Sequence, residues 1–147
     1  MDSKPVSDAT ADFHEATSEL VDELGVDIES TQMRLRRCEG KKGELSDEVY
    51  HVWVGVRGTA PESNVDSLIE QRHEQWDGDG WEITRYRHLD GGGVNLAATD
   101  PDTGYHYSLD SGFDEDPDAY LVGFFNTPCY QNPDGQVDFG NVDIPTG

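Results

Sequence analysis

Two cysteines, five histidines and a dense scatter of carboxylates are the side chains of this 147-residue chain that chemistry could use. Cys38 and Cys129 are the only thiols. They lack CxxC spacing and have no His/Cys cluster beside them in sequence, which argues against a zinc ligand set. Each closes a segment that reads as a strand, in the polar contexts Arg37-Cys38-Glu39-Gly40 and Thr127-Pro128-Cys129-Tyr130. Polar strand ends suit a covalent staple better than an inert core thiol. We therefore expect a structural disulfide between Cys38 and Cys129. It closes a loop of about 90 residues, worth about 4–5 kcal/mol in the chain-entropy account. A paired cysteine points to an oxidising compartment outside the cytoplasm.

The remaining motifs do not complete. His73-Glu74 opens like a zinc-protease HExxH, but Asp77 stands where the second histidine belongs. His14, His51, His73, His88 and His106 show no paired ligand spacing. No serine lies in a GxSxG turn, and Ser63 reads as part of a helix start. Neither cysteine has a base beside it in sequence. Asp77-Gly78-Asp79-Gly80, Asp100 to Gly104 and Asp114 to Asp118 offer oxygens, yet none has the D-x-D-x-D-G spacing with a later Glu. Asp, Gly and Pro are also what turns require. Asp90-Gly91-Gly92-Gly93 precedes a strand and lacks the Lys-Ser/Thr of a phosphate loop, so it reads as a hairpin. No catalytic residue, metal or cofactor is expected, and the chain reads as a non-enzyme.

Charge narrows the partners. The 31 acidic and 10 basic residues give a net charge of −21. Such a surface repels phosphate backbones and anionic lipid head groups, so no nucleic-acid partner is expected. Against that background Arg34, Arg36, Arg37, Lys41 and Lys42 place half of the 10 basic residues within one short segment. Two readings stay open for this cluster. It is an internal ion-pair site, or a small patch that meets an anionic partner. Trp53, if its face is uncovered, is a second anchor for such a partner. These residues are the candidate partner-binding set.

The elements that must hold these residues follow from periodicity. Ser7 can cap a helix over residues 8–24, whose apolar stripe is Phe13, Ala16, Leu20, Val21 and Leu24, closed by Gly25. Strands follow over 28–38 and 49–57, the second alternating clearly through Tyr50, Val52, Val54 and Val56. Gly58 to Pro61 reads as a connector into a helix over 62–76. Four strands come next, over 81–89, 94–98, 105–109 and 119–126, with an acidic loop over 114–118 before the last. Residues from about 131 onward read as irregular. The expectation is one α+β domain over residues 1–147, with an antiparallel sheet of five to six strands and two helices packed on one face. No run approaches the roughly 20 apolar residues of a membrane helix. Met1 to Ala11 is polar and acidic, so any leader peptide or lipid anchor is expected in a precursor rather than in this sequence.

The order of marks along the chain carries a resemblance. A strand ends at Cys38, and His51-Val52-Trp53-Val54-Gly55-Val56 forms a central strand. Then come Gly80-Trp81-Glu82-Ile83, Gly93-Val94-Asn95-Leu96 leading to Asp100, Gly104-Tyr105-His106-Tyr107, and Phe124-Phe125-Asn126-Thr127-Pro128-Cys129. From about Thr31 to Cys129 this layout resembles the small cell-envelope lipoproteins of actinobacteria, the mycobacterial LppA-like group among them. The resemblance implies an exported domain, tethered by an N-terminal lipid, with its two cysteines paired. It implies no catalytic residues. The leader and lipobox of that group are absent from this sequence, and the acidity is extreme, which is also what salt adaptation produces. The expected function is an extracytoplasmic envelope domain that binds an unidentified envelope or protein partner. The alternative is a small acidic immunity or inhibitor protein that blocks a basic toxin or enzyme.

Overall fold

A computed structural model describes residues 2–39, 45–115 and 118–144. Helix α1 (Val6–Leu24) opens after Pro5 without a side-chain cap. Ser7, the expected cap, sits inside the first turn, where its carbonyl accepts from the Thr10 hydroxyl at 3.2 Å. Proline before a helix already fixes an extended entry, so the turn starts without help from a serine oxygen. Gly25 ends the helix at φ 71°, and its N–H reaches the carbonyls of Val21 and Asp22. The helix buries Ala9, Phe13, Thr17, Leu20 and Leu24, a stripe at the expected spacing with Ala16 and Val21 on its flank.

Strands β1 (Asp27–Glu39) and β2 (Leu45–Pro61) form an antiparallel hairpin. Helix α2 (Glu62–Gly78) then carries the chain to the far edge of the sheet. From there β3 (Glu82–His88), β4 (Val94–Thr99), β5 (His106–Glu115) and β6 (Asp118–Asn126) return as a meander until β6 pairs with β2. Two short strands follow, β7 (Tyr130–Gln131) against β2 and β8 (Gly140–Val142) against β1. The sheet runs β3-β4-β5-β6-β2-β1-β8, antiparallel throughout. The class is α+β, as expected, with the two helices packed against the sheet.

The sheet has 8 strands, more than the five to six expected, because β7 and β8 lie in the segment read as irregular. Their pairing partners are 80 to 110 residues away in sequence. Their apolar anchors, Val137, Phe139 and Val142, are spaced too loosely among Asp and Gly to show alternation. Gly58 to Pro61 is likewise strand rather than connector, since β6 pairs with β2 as far as Pro61↔Asp118. Asp114, Glu115 and Asp118 belong to the β5–β6 hairpin, not to a loop.

Alternation divides the sheet into two faces. One is covered by the helices: Val52, Val54, Leu96, Leu109, Leu121 and Phe125 are fully buried there. Phe13 of α1 meets Tyr105 edge-on at 4.8 Å, locking that helix over the sheet. Among the described residues the other face has no helix on it, and it carries the candidate site.

Candidate binding face and cysteine–histidine cluster

Trp53 occupies the middle of β2 on the open face. Cross-strand register sets Arg34 of β1 on one side of it and Asn126 of β6 on the other. Two residues along the strand, Gly55 leaves room for the indole: a side chain there would collide with the Trp53 ring. The ring therefore lies flat on the sheet. Phe124, opposite Gly55, stacks on it at 5.8 Å and is itself 41% exposed. The guanidinium carbons of Arg36 and Arg34 stand 4.6 and 5.3 Å from the ring centre, within cation–π range.

Arg34 is held by neutral partners. Its Nε donates to Asn141 Oδ1 at 2.8 Å, on β8, and its terminal nitrogen donates to Gln32 Oε1 at 3.2 Å. Among the described residues neither Arg34 nor Arg36 has a carboxylate partner. The register adds Arg57, Arg85 and Arg87 to the same face, so five of the 10 basic residues lie on it. Arg57 lies over the Tyr120 ring at 4.0 Å and near Glu29 at 3.6 Å. Arg87 donates to Asn95 Oδ1, whose amide donates to Asp110 Oδ1. Burial holds the Asp110 carboxyl above its ordinary range.

The expected basic cluster is divided by the pleat. Arg37 points away from Arg34 and Arg36, donates to Asp47 at 3.0 Å, and covers Phe139 at 4.5 Å. Arg37 is thus ion-paired, whereas Arg34 and Arg36 lie on the open face beside Trp53. Lys41 and Lys42 lie outside the described residues. Phe124 and the distant arginines were not singled out by the sequence. Alternation in β6, which buries Leu121 and Phe125, is the local signal that sets Phe124 on the opposite face.

The two cysteines are joined, with their Cα atoms 6.2 Å apart. Structural disulfides form and persist chiefly in oxidising, extracytoplasmic environments. The local fold explains the reach. After β6 ends, Thr127 keeps pairing with Val52 through its N–H and its hydroxyl, at 3.0 and 2.9 Å. Pro128 and Cys129 then leave the ladder, which resumes at Tyr130↔Tyr50. On β1 the register shifts between Arg37 and Glu39. The disulfide thus joins the strands on either side of β2. His51 of β2 lies next to it, with Nδ1 at 3.3 Å from Cys38 Sγ. Burial, and then the Arg36 charge, hold the His51 pKa below its ordinary value. The spacing of the histidines gave no hint of this neighbour, which depends on register between β1 and β2.

A cavity of about 370 Å³ opens on the helix side, between α1, α2 and the sheet. Trp76 and Trp81, stacked at 4.6 Å, and Tyr107 form its apolar wall. Arg72 there is 9% exposed, pairs with Glu23 at 3.1 Å, and has no hydrogen-bond partner for its Nε among the described residues. Burial pushes the Tyr105 and Tyr107 hydroxyls up, away from ionisation at neutral pH. Among the described residues no helix is long and apolar enough to cross a membrane.

A scan against protein-family models gives no match, and a search of curated proteins gives none either.

Proposed function

We propose that this chain is an extracytoplasmic, non-enzymatic binding domain of the bacterial envelope, of the LppA-like lipoprotein kind, and that its open sheet face receives an acidic segment of a partner protein. The observation that carries this reading is the arrangement around Trp53. A flat indole, a stacked phenylalanine and two arginines without carboxylate partners among the described residues share an uncovered face of a molecule whose net charge is −21. Arginines left unpaired where acids abound are available to an incoming carboxylate, and aromatic and arginine side chains dominate binding energy at interfaces. The disulfide fits an exported domain.

The test is fluorescence anisotropy of a labelled glutamate-rich peptide at low salt. Saturable binding is expected, weakening by at least about tenfold in Arg36→Gln or Trp53→Ala and falling with added salt. Binding unchanged in both variants, or absent in the wild type, would sink the proposal. The inhibitor reading instead places the contact on the helix side, where Glu19, Glu23, Asp79 and Asp100 line the cavity. Under that reading a lysine-rich peptide binds, and neutralising those four acids abolishes the binding.

A further inference from the structure

Among the described residues one grouping of three His, Cys, Asp or Glu side chains brings its donor atoms within 4.8 Å of one another. It is Cys38, His51 and Cys129. Two sulfurs and an imidazole nitrogen are a donor set for a soft or borderline ion rather than a hard one. We propose that reduction of the Cys38–Cys129 bridge converts this cluster into a site for zinc, held by the two thiolates and His51 Nδ1.

The geometry needs little change. Tetrahedral zinc, with bonds of roughly 2.0–2.3 Å, places its ligands about 3.5–3.8 Å apart. His51 Nδ1 is already 3.3 Å from Cys38 Sγ. The sulfurs must separate, which breaking their bond allows, and all three donor atoms already lie within 4.8 Å of one another. Both cysteines sit where the ladder is irregular, Cys38 at the β1 register shift and Cys129 in the gap between β6 and β7. The backbone there can yield without breaking strand pairs. Cys38 is buried, whereas His51 and Cys129 are half-buried, so a fourth position faces solvent for water or an external ligand. Arg36 beside the site offsets one of the two thiolate charges.

The chemistry balances as follows. A dithiol reductant supplies two electrons and two protons, the S–S bond becomes two thiols, and the reductant is itself oxidised to a disulfide. Zinc then enters as each thiol gives its proton to solvent, so one divalent cation replaces two protons.

The experiment uses the whole chain, reduced with a dithiol, freed of reductant without oxygen, and titrated with zinc against a chromophoric chelator. Cobalt serves as the spectroscopic probe. One equivalent of zinc is expected to bind the reduced protein, with a thiolate-to-cobalt charge-transfer band. The disulfide-intact protein should bind at least about tenfold more weakly, and His51→Ala should weaken the reduced protein by a similar factor. Equal binding before and after reduction would place the metal on surface carboxylates and overturn the proposal. So would an unchanged affinity in His51→Ala. If reduction unfolds the chain, zinc must restore the near-ultraviolet signal of the tryptophans, and failure to restore it overturns the proposal as well.

Discussion

Trp53 and Phe125 use the same local device on opposite faces of one sheet. Each ring lies over a glycine two residues along its own strand, Trp53 over Gly55 and Phe125 over Gly123. Phe125 is fully buried, under the helix layer and edge-on to Tyr107 at 5.3 Å. Trp53 is half-buried, flanked by Arg34, Arg36 and Phe124 with no helix above. The device therefore has two uses. On the covered face it flattens a ring so that a helix can pack close. On the open face it holds an aromatic surface rigid toward solvent, which lowers the entropy lost when a partner arrives.

Truncating the two rings should separate those uses most sharply. Phe125→Ala leaves a void in a close-packed core and is expected to cost about 3–5 kcal/mol. Trp53→Ala removes a half-buried ring with no helix above it and should cost less, about 1 kcal/mol. Urea unfolding of both variants at neutral pH measures the gap, which closes if the open face is in truth part of the core. The glycines give the next largest contrast. Gly123→Ala collides with the Phe125 ring and with Val56 across the strand, inside a packed layer, and should cost about 1–3 kcal/mol. In Gly55→Ala the colliding group is the Trp53 ring, which can lift toward water. Its stability should change less, while the position of the tryptophan emission moves toward that of an exposed indole. An unshifted emission spectrum with a large stability loss would mean that Trp53 cannot lift.

How much of this was legible in the sequence depends on range. The strand through Val52 and Val54 announced itself by strict alternation, and Phe13, Leu20 and Leu24 by helical spacing. Polar contexts at two strand ends sufficed to pair Cys38 with Cys129. The basic cluster was visible as a run of charge, but a period of two already implied that Arg37 must face away from Arg34 and Arg36. Reading the run as one patch overlooked that. What stayed hidden depends on register between distant strands. Phe124 reaches Trp53 only because β6 pairs with β2, and His51 reaches Cys38 only through the β1–β2 register. Strand β8 was invisible for a related reason. Its few residues pair because β1 presents an open edge, not because they favour a strand themselves.

The two faces also differ in the direction in which pH should unsettle them, and this is the smallest effect. On the open face His106 touches Thr99 Oγ1 through Nδ1 at 3.0 Å. Its pKa is lowered by burial and then by Arg85, with Glu82 opposing. On the covered face Tyr107 is raised above its ordinary value, chiefly by burial. A histidine lowered on folding takes up its proton more readily in the unfolded chain. Its stability contribution is complete above the unfolded value of about 6.5 and fades as the pH falls toward the folded one. A tyrosine raised on folding loses its proton first in the unfolded chain, so its contribution fades as the pH rises past about 10. His106→Gln should therefore flatten the loss of stability between about pH 7 and pH 5.5, above the range where most carboxylates titrate, and leave the alkaline limb unchanged. Tyr107→Phe should do the reverse. Urea midpoints across pH for both variants read the two limbs separately. An acid limb as steep in His106→Gln as in the wild type would move its origin to other groups, His51 among them, whose pKa burial also lowers.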